Sequence, residues 1–232
     1  MAERTFRSLI RHALLYSLTA GVVIALEALV VFTWRANTIT TATVASVIIE
    51  PFFVAIVTAF TYADVREDLS KAQVWLRVLE RSWAVLVIGL LVNLVTALGL
   101  ESVAIADPFQ KLLGAGVMIV AISLIFADVH ATVVDDAEPW WLLVPRSLGA
   151  SMALAWQGLT IARAVIVFAL QMLVPWILSF YVQSLLAARH VPQAPFWASA
   201  VSVLLLLAPV QAFCTYVYLD AIGYESKRSC SQ

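Results

Sequence analysis

Charge is what this chain has least of. Of its 232 residues, 12% are Asp, Glu, Lys or Arg and 62% are hydrophobic, against roughly 25% charged and about 45–50% apolar in soluble proteins. A chain of this size has no interior large enough to hide so much apolar surface, which excludes a water-soluble fold and makes lipid the solvent. The net charge of −1, with no basic block, excludes a nucleic-acid partner. Cysteine is nearly absent: Cys214 lies in an apolar run and Cys230 in a polar tail, with no CxxC, so neither a disulfide nor a metal pair is expected. The three histidines, His12, His130 and His190, fall near the ends of apolar segments and cannot supply paired mid-membrane haem ligands. Asp128, His130, Asp135 and Asp136 are metal-compatible residue types, but carboxylates in a loop are ordinarily solvated, and no metal is expected. No nucleophile elbow, Walker loop or zinc-protease motif occurs, so the sequence points to a non-enzymatic protein without a cofactor.

What is present is repetition at the ends of hydrophobic runs. Arg-Ser followed by Leu or Trp occurs at Arg7-Ser8-Leu9, Arg81-Ser82-Trp83 and Arg146-Ser147-Leu148, each time opening an apolar stretch. An aromatic-x-Asp triplet closes a later stretch at Tyr62-Ala63-Asp64, Phe126-Ala127-Asp128 and Tyr218-Leu219-Asp220. The alternation reads as three tandem helical hairpins, about 7–64, 81–128 and 146–220, within a single membrane domain. Runs of about 20 apolar residues suffice to cross a hydrocarbon core of roughly 30 Å. They place six spans near 12–34, 39–63, 83–100, 109–128, 161–187 and 196–219. Pro108 and Pro195 fit the first turns of the fourth and sixth helices, and Trp34, Trp83 and Trp197 fall at span ends, where indole favours the headgroup layer. The fold class is therefore all-α and polytopic. The N-terminal run exceeds a signal sequence in length and contains Glu27, so it reads as an uncleaved anchor.

Two segments complicate a plain six-span diagram. Between the second and third spans, Leu69, Ala72, Leu76, Leu79 and Trp83 share one helical stripe, which predicts an amphipathic helix lying on the inner leaflet. From Ser147 to Ala187 no strong breaker precedes Pro175, and one helix of that length would span about 60 Å. It is expected to divide near Gln157-Gly158, with 147–160 forming an interfacial or re-entrant piece and the remainder a true span.

Three sets of residues carry a resemblance to a known group: Pro51-Phe52 leading to Tyr62-Ala63-Asp64-Val65-Arg66, the loop Val134-Asp135-Asp136, and Pro145-Arg146-Ser147. An Arg-Ser opening a helix after an acidic loop resembles the YciC-type bacterial inner-membrane proteins and the membrane domain attached to some glycerophosphodiester phosphodiesterases. The resemblance spans most of the chain. It implies six membrane helices and carries over no catalytic residue, because members have no established activity.

Two groups of polar residues are candidates for function. Arg7, Arg81 and Arg146 begin outgoing helices, and Asp64, Asp128 and Asp220 end returning ones, so all six are expected at one interface. Arg–carboxylate pairs in that partly dehydrated layer would clamp the hairpins together or form a ring that binds an anionic headgroup. Within the spans, Glu27 and Glu50 are costly to bury if ionised and should face the bundle interior or a wet cavity. Pro51 deprives the Val47 carbonyl of its helical partner next to Glu50. Asn93, Gln157, Arg163, Gln171, Gln183 and Gln211 are further interior candidates, with Arg163 a counter-ion for Glu50.

These readings point first to a non-enzymatic membrane component, a subunit of or accessory to a transport or envelope complex. Its expected partners are membrane lipids and a membrane protein or a second copy of itself. The alternative is a small-solute or ion carrier, or the substrate-binding membrane subunit of an importer, using Glu50. A polar cavity enclosing Glu50 would favour carrier or binding subunit, and a dry bundle would favour a scaffold. Lysine and arginine set the orientation. Ten fall on the face holding both termini (Arg4, Arg7, Arg11, Arg66, Lys71, Arg77, Arg81, Arg146, Lys227 and Arg228) and three on the other (Arg35, Lys111 and Arg189). By the positive-inside rule both termini are cytoplasmic, and the resemblance implies a bacterial inner membrane. A C-terminal alkaline phosphatase fusion is therefore expected to be inactive and a C-terminal fluorescent-protein fusion bright. Periplasmic phosphatase activity would overturn an even number of spans.

Overall fold

The second half of one helix sits at the centre of the protein and is largely buried. A computed structural model describes residues 2–33, 38–66, 68–104, 107–135, 138–158 and 160–224, without the side chains of 38–47 and of Trp176. Trp34, Arg35, Asp136, Lys227, Arg228 and Cys230, named above, lie outside it. The helices are α1 (Ala2–Arg11), α2 (Ala13–Thr33), α3 (Thr38–Arg66), α4 (Lys71–Ala104), α5 (Pro108–Ser123), α6 (Ala127–Val133), α7 (Trp140–Ala155), α8 (Thr160–Ala188), α9 (Ala194–Ser202) and α10 (Ala208–Ala221). No strand occurs among the described residues. Six segments are long and apolar enough to cross a membrane: α2, residues 48–66 of α3, α4, α5 with α6, α8, and α9 with α10.

Phe53, Ala55, Val57, Thr58, Ala59, Thr61 and Tyr62 of α3 are all essentially inaccessible, so this stretch has no polar face and needs none. It packs against α2, α4, α6, α9 and α10. The neighbours share its character: Val129 and Ala131 of α6 and Ala212, Cys214 and Thr215 of α10 are equally inaccessible. The outer helices turn large apolar side chains outward instead, among them Leu14, Leu18 and Leu29 of α2 and Ile177 and Phe180 of α8, as a bundle solvated by lipid requires. The first helix and the last described residues lie on one side, since α1 packs on α10 and the Tyr62 hydroxyl meets that of Tyr224 at 3.3 Å.

The segment expected to form a separate surface helix is instead the first part of α4, a continuous helix of 34 residues, about 51 Å. Its predicted stripe faces away from the protein: Leu76, Leu79 and Trp83 are exposed, whereas Val74, Val78 and Arg81 are buried. Both faces of this segment are apolar enough to be covered, and packing against the core selected the shorter side chains.

The expected division near Gln157-Gly158 does occur. α7 ends at Ala155, and Gly158 takes φ +51°, a left-handed conformation in which a side chain would be strained. At 16 residues, about 24 Å, α7 is too short to cross a 30 Å core. Its inner end meets a break in the fourth span between α5 and α6. There Ser151 accepts a hydrogen bond from the Phe126 N–H at 3.1 Å and donates to the Ser123 carbonyl at 2.8 Å. One hydroxyl thus satisfies both backbone groups that the interrupted helix releases, which the apolar surroundings make obligatory.

Small residues let α4 and α5 approach closely. A Cβ on Gly114 would fall 2.7 Å from the Val103 backbone nitrogen, whereas one on Gly116 would meet nothing within 4 Å. Gly114→Ala is expected to destabilise by about 1–3 kcal/mol, because backbone rather than a flexible side chain must give way. Gly116→Ala should leave the thermal midpoint unchanged in the same detergent. Equal midpoints for the two variants would refute this packing.

Candidate functional site

Three helix irregularities converge on one place in the bundle interior. Pro51 interrupts the hydrogen-bond ladder of α3, and Pro175 that of α8. Pro209, in the first turn of α10, cannot donate to the Leu205 carbonyl, and the chain before it winds into a π-helical turn, Val203–Leu207. Gly89 of α4 allows the close approach of Pro51, whose Cγ would lie 3.1 Å from a Cβ placed there. The disturbed helices do not close on one another, and a cavity of about 360 Å³ remains between them. That volume is within the about 300–1,000 Å³ typical of small-molecule sites.

Polar groups occupy particular parts of the wall. Towards the side carrying the chain ends, Gln211 of α10 is 2% exposed. Its amide donates to Asp128 Oδ2 of α6 and to Thr58 Oγ1 of α3, each at 2.9 Å. Its carbonyl oxygen accepts from the Gln171 amide of α8 at 3.1 Å. Four helices are thereby joined through a single side chain. On the α8–α9 side, the Ser179 and Ser202 hydroxyls meet at 2.7 Å, and Ser202 also reaches the Pro175 carbonyl at 3.4 Å and the Ala198 carbonyl at 3.2 Å. Glu50 of α3 and Asn93 of α4 also line the cavity. Neither side chain makes a hydrogen bond or ion pair among the described residues, so both keep their polar valences for whatever enters. Thr58 and Glu50 are eight residues apart on α3, so the Asp128 and Glu50 levels are separated by about 12 Å of helix.

The remaining sequence candidates fall elsewhere. Glu27 of α2 is 3% exposed, and its Oε1 has no hydrogen-bond partner among the described residues. It lies close enough to Glu50 for the two carboxyl groups to interact electrostatically. Gln157 and Gln183 are exposed. Arg163 is not the counter-ion of Glu50: it begins α8 just beyond the Gly158 break and binds Asp220 at 2.6 Å, with both side chains partly in the open.

The repeated arginines and aspartates meet partners other than those expected. Arg7 lies on the exposed face of α1 and pairs with Glu3 one turn earlier. Asp64 accepts from Arg11 at 2.7 Å and from His12 at 3.1 Å, because those residues, rather than Arg7, are on the face of the N-terminal segment that meets α3. Arg146 binds Glu138 at 2.5 Å. Arg81 is buried, a turn before Val85, where α4 packs against α6 and α7. Asp128 departs furthest from expectation. Because the fourth span breaks before it, α6 turns this carboxylate inward to Gln211 rather than to the interface.

A further ionic cluster joins three segments of the chain. Asp135, beyond the fourth span, accepts from Arg77 at 2.5 Å and from Arg66 at 2.6 Å. Arg77 also donates to the Val133 carbonyl at 2.9 Å and lies over the Tyr62 ring. Burial works to raise the Asp135 carboxyl, but the two guanidinium groups outweigh it and hold the group below the usual carboxylate range. The sequence marks Asp135 as part of an acidic loop but not its partners, which come from α3 and α4. His130 binds the Tyr218 hydroxyl at 2.6 Å, so Asp128, His130 and Asp135 point to three different partners. No group of three or more metal-binding side chains gathers among the described residues.

Compared with protein-family models, with curated proteins and with solved structures, the chain matches none. Gln211→Leu is expected to lower thermal stability, by about 1–3 kcal/mol, since Asp128 and Thr58 both lose a donor. Gln211→Glu should be at least as damaging, because it places a second carboxyl against Asp128. A midpoint unaltered in both variants would exclude the four-helix junction.

Proposed function

We propose that this protein is a non-enzymatic solute-binding component of the membrane, a carrier or the binding subunit of a transport system, and that the cavity between Glu50 and Asp128 is its site. The observation that carries the reading is the pair of unpartnered polar side chains, Glu50 and Asn93, on the wall of an otherwise largely apolar cavity. A scaffold needs no such space. In lipid, an idle carboxyl group is a cost that packing alone would remove. A carrier or binding subunit uses both features, an apolar wall for area and a few convergent polar groups for orientation. The helix interruptions at Pro51, Pro175 and Pro209 support the same reading, since broken membrane helices are tolerated where they line a cavity. The resemblance to the YciC-type proteins bears on the fold and supplies no ligand.

The same reading places the chain in a bacterial inner membrane with both termini cytoplasmic. It is supported by the lysine and arginine distribution, and the clustering of Arg11, Arg66 and Arg77 at the end that holds α1 and Tyr224 agrees with it. Energy from ATP, if used, would come from a partner, as the chain has no phosphate-binding loop.

Glu50→Gln tests the assignment, because glutamine keeps the size and polarity of the side chain while removing its charge. Purified protein should retain its thermal midpoint and lose co-purifying solute, measured by mass spectrometry after denaturation, by roughly 10-fold or more. A charge-assisted hydrogen bond of about 1.5–3 kcal/mol corresponds to that range. Glu50→Leu should lose the solute as well. Unchanged solute in both variants, with stability lost in Glu50→Leu alone, would assign Glu50 to helix packing and remove the carrier reading.

A further inference from the structure

We propose that the cavity takes a monovalent organic cation with an apolar body, which Glu50 and Asn93 hold and which exchanges for a proton. This rests on the solute-binding reading and specifies the class of solute. The sign of the charge follows from the wall. Among the described residues its ionisable members are Glu50 and Asp128, both acidic, and they include no Lys, Arg or His. Glu27 on α2, which acts on Glu50 electrostatically, is acidic too. Arg163, the counter-ion the sequence suggested, is held by Asp220. An anion entering this space would meet carboxyl groups and no compensating charge, whereas a cation would meet a carboxylate with no competing partner.

The two carboxyl groups have different roles. Asp128 is tied to Gln211, which is itself fixed by Thr58 and Gln171, so its geometry is occupied with joining helices. Glu50 has no such tie and is the group left to a ligand. Asn93, on the same wall, offers an amide oxygen that can accept from an ammonium N–H. Most of the remaining wall is apolar, including Pro51, Val54, Val85, Ile88, Val92 and Met172. Such a wall rewards a hydrophobic body.

Exchange follows from the surroundings. A carboxylate at this depth is costly unless a positive charge accompanies it, so the empty site keeps a proton and the occupied site keeps the cation. The proton leaves as the cation enters, and no bond other than O–H is broken. The titratable groups facing Glu50 are Glu27 from α2 and Asp128 from α6. The walls contributed by α4, α8, α9 and α10 face the cavity with Asn93, Gln171, Ser179, Ser199, Ser202 and Gln211, none of which titrates.

Tetraphenylphosphonium and tetraphenylborate form a suitable pair of probes, nearly equal in size and shape and opposite in charge. Calorimetric titration of the purified full-length protein in detergent is expected to show saturable binding of tetraphenylphosphonium alone. In weak buffer about one proton should be released per cation bound, and affinity should fall as pH is lowered because protons compete for Glu50. Glu50→Gln should weaken binding at least 10-fold and abolish the proton release. Saturable tetraphenylborate binding of equal strength would overturn the charge argument, and undiminished tetraphenylphosphonium binding in Glu50→Gln would overturn the site. If neither ion binds while the co-purifying solute still depends on Glu50, the cation proposal fails and the solute-binding reading stands. Failure of both leaves neither.

Discussion

The interior of this protein is organised by the need to satisfy polar groups buried among apolar helices. Gln211 is where that need is met most fully. Three of its four hydrogen-bonding positions are filled by Asp128, Thr58 and Gln171, and the partners come from α6, α3 and α8. The junction thereby ties together α3, α6, α8 and α10. The same constraint recurs at the helix interruptions. Ser151 of α7 repairs the break between α5 and α6, and Ser202 reaches the Pro175 carbonyl. In both cases a short hydroxyl side chain substitutes for the missing backbone partner.

Against this background, Glu50 and Asn93 stand apart. Asp128, Gln171, Ser179, Ser202 and Gln211 on the same wall are each joined to a neighbour, and these two are not. The helices that flank them are held open by the prolines at 51, 175 and 209, so the space was not closed by packing. Stability and binding are thereby separated along the axis of the molecule. The end carrying Asp128, Gln211 and the Asp135 cluster is tightly tied, whereas the middle retains a chamber. The guanidinium groups of Arg66 and Arg77, converging on Asp135, fasten α3 and α4 to the segment beyond α6 and cover the tied end.

Sequence alone determined the class, the number of spans and several of the interruptions. These follow from composition and from local chemistry: apolar runs of membrane-spanning length, Gly158 at a left-handed turn, and prolines that cannot complete a helical ladder. It also singled out Glu50 and Asn93, because a carboxyl or an amide within such a run is conspicuous wherever it points. The tertiary structure decided which polar groups met. The Arg-Ser and aromatic-x-Asp repeats implied one set of pairs, yet Asp64 took Arg11 and His12, Asp220 took Arg163, and Asp128 turned inward to Gln211. The face of α4 that packs on the core is likewise the one bearing Val74 and Val78 rather than the larger Leu76 and Leu79. Hydrophobicity specifies that a helix enters the membrane but is nearly indifferent to its rotation, since lipid and a neighbouring helix are alike to an apolar side chain. Rotation is set by close packing and by hydrogen bonds between residues far apart in the chain, and no local pattern records those.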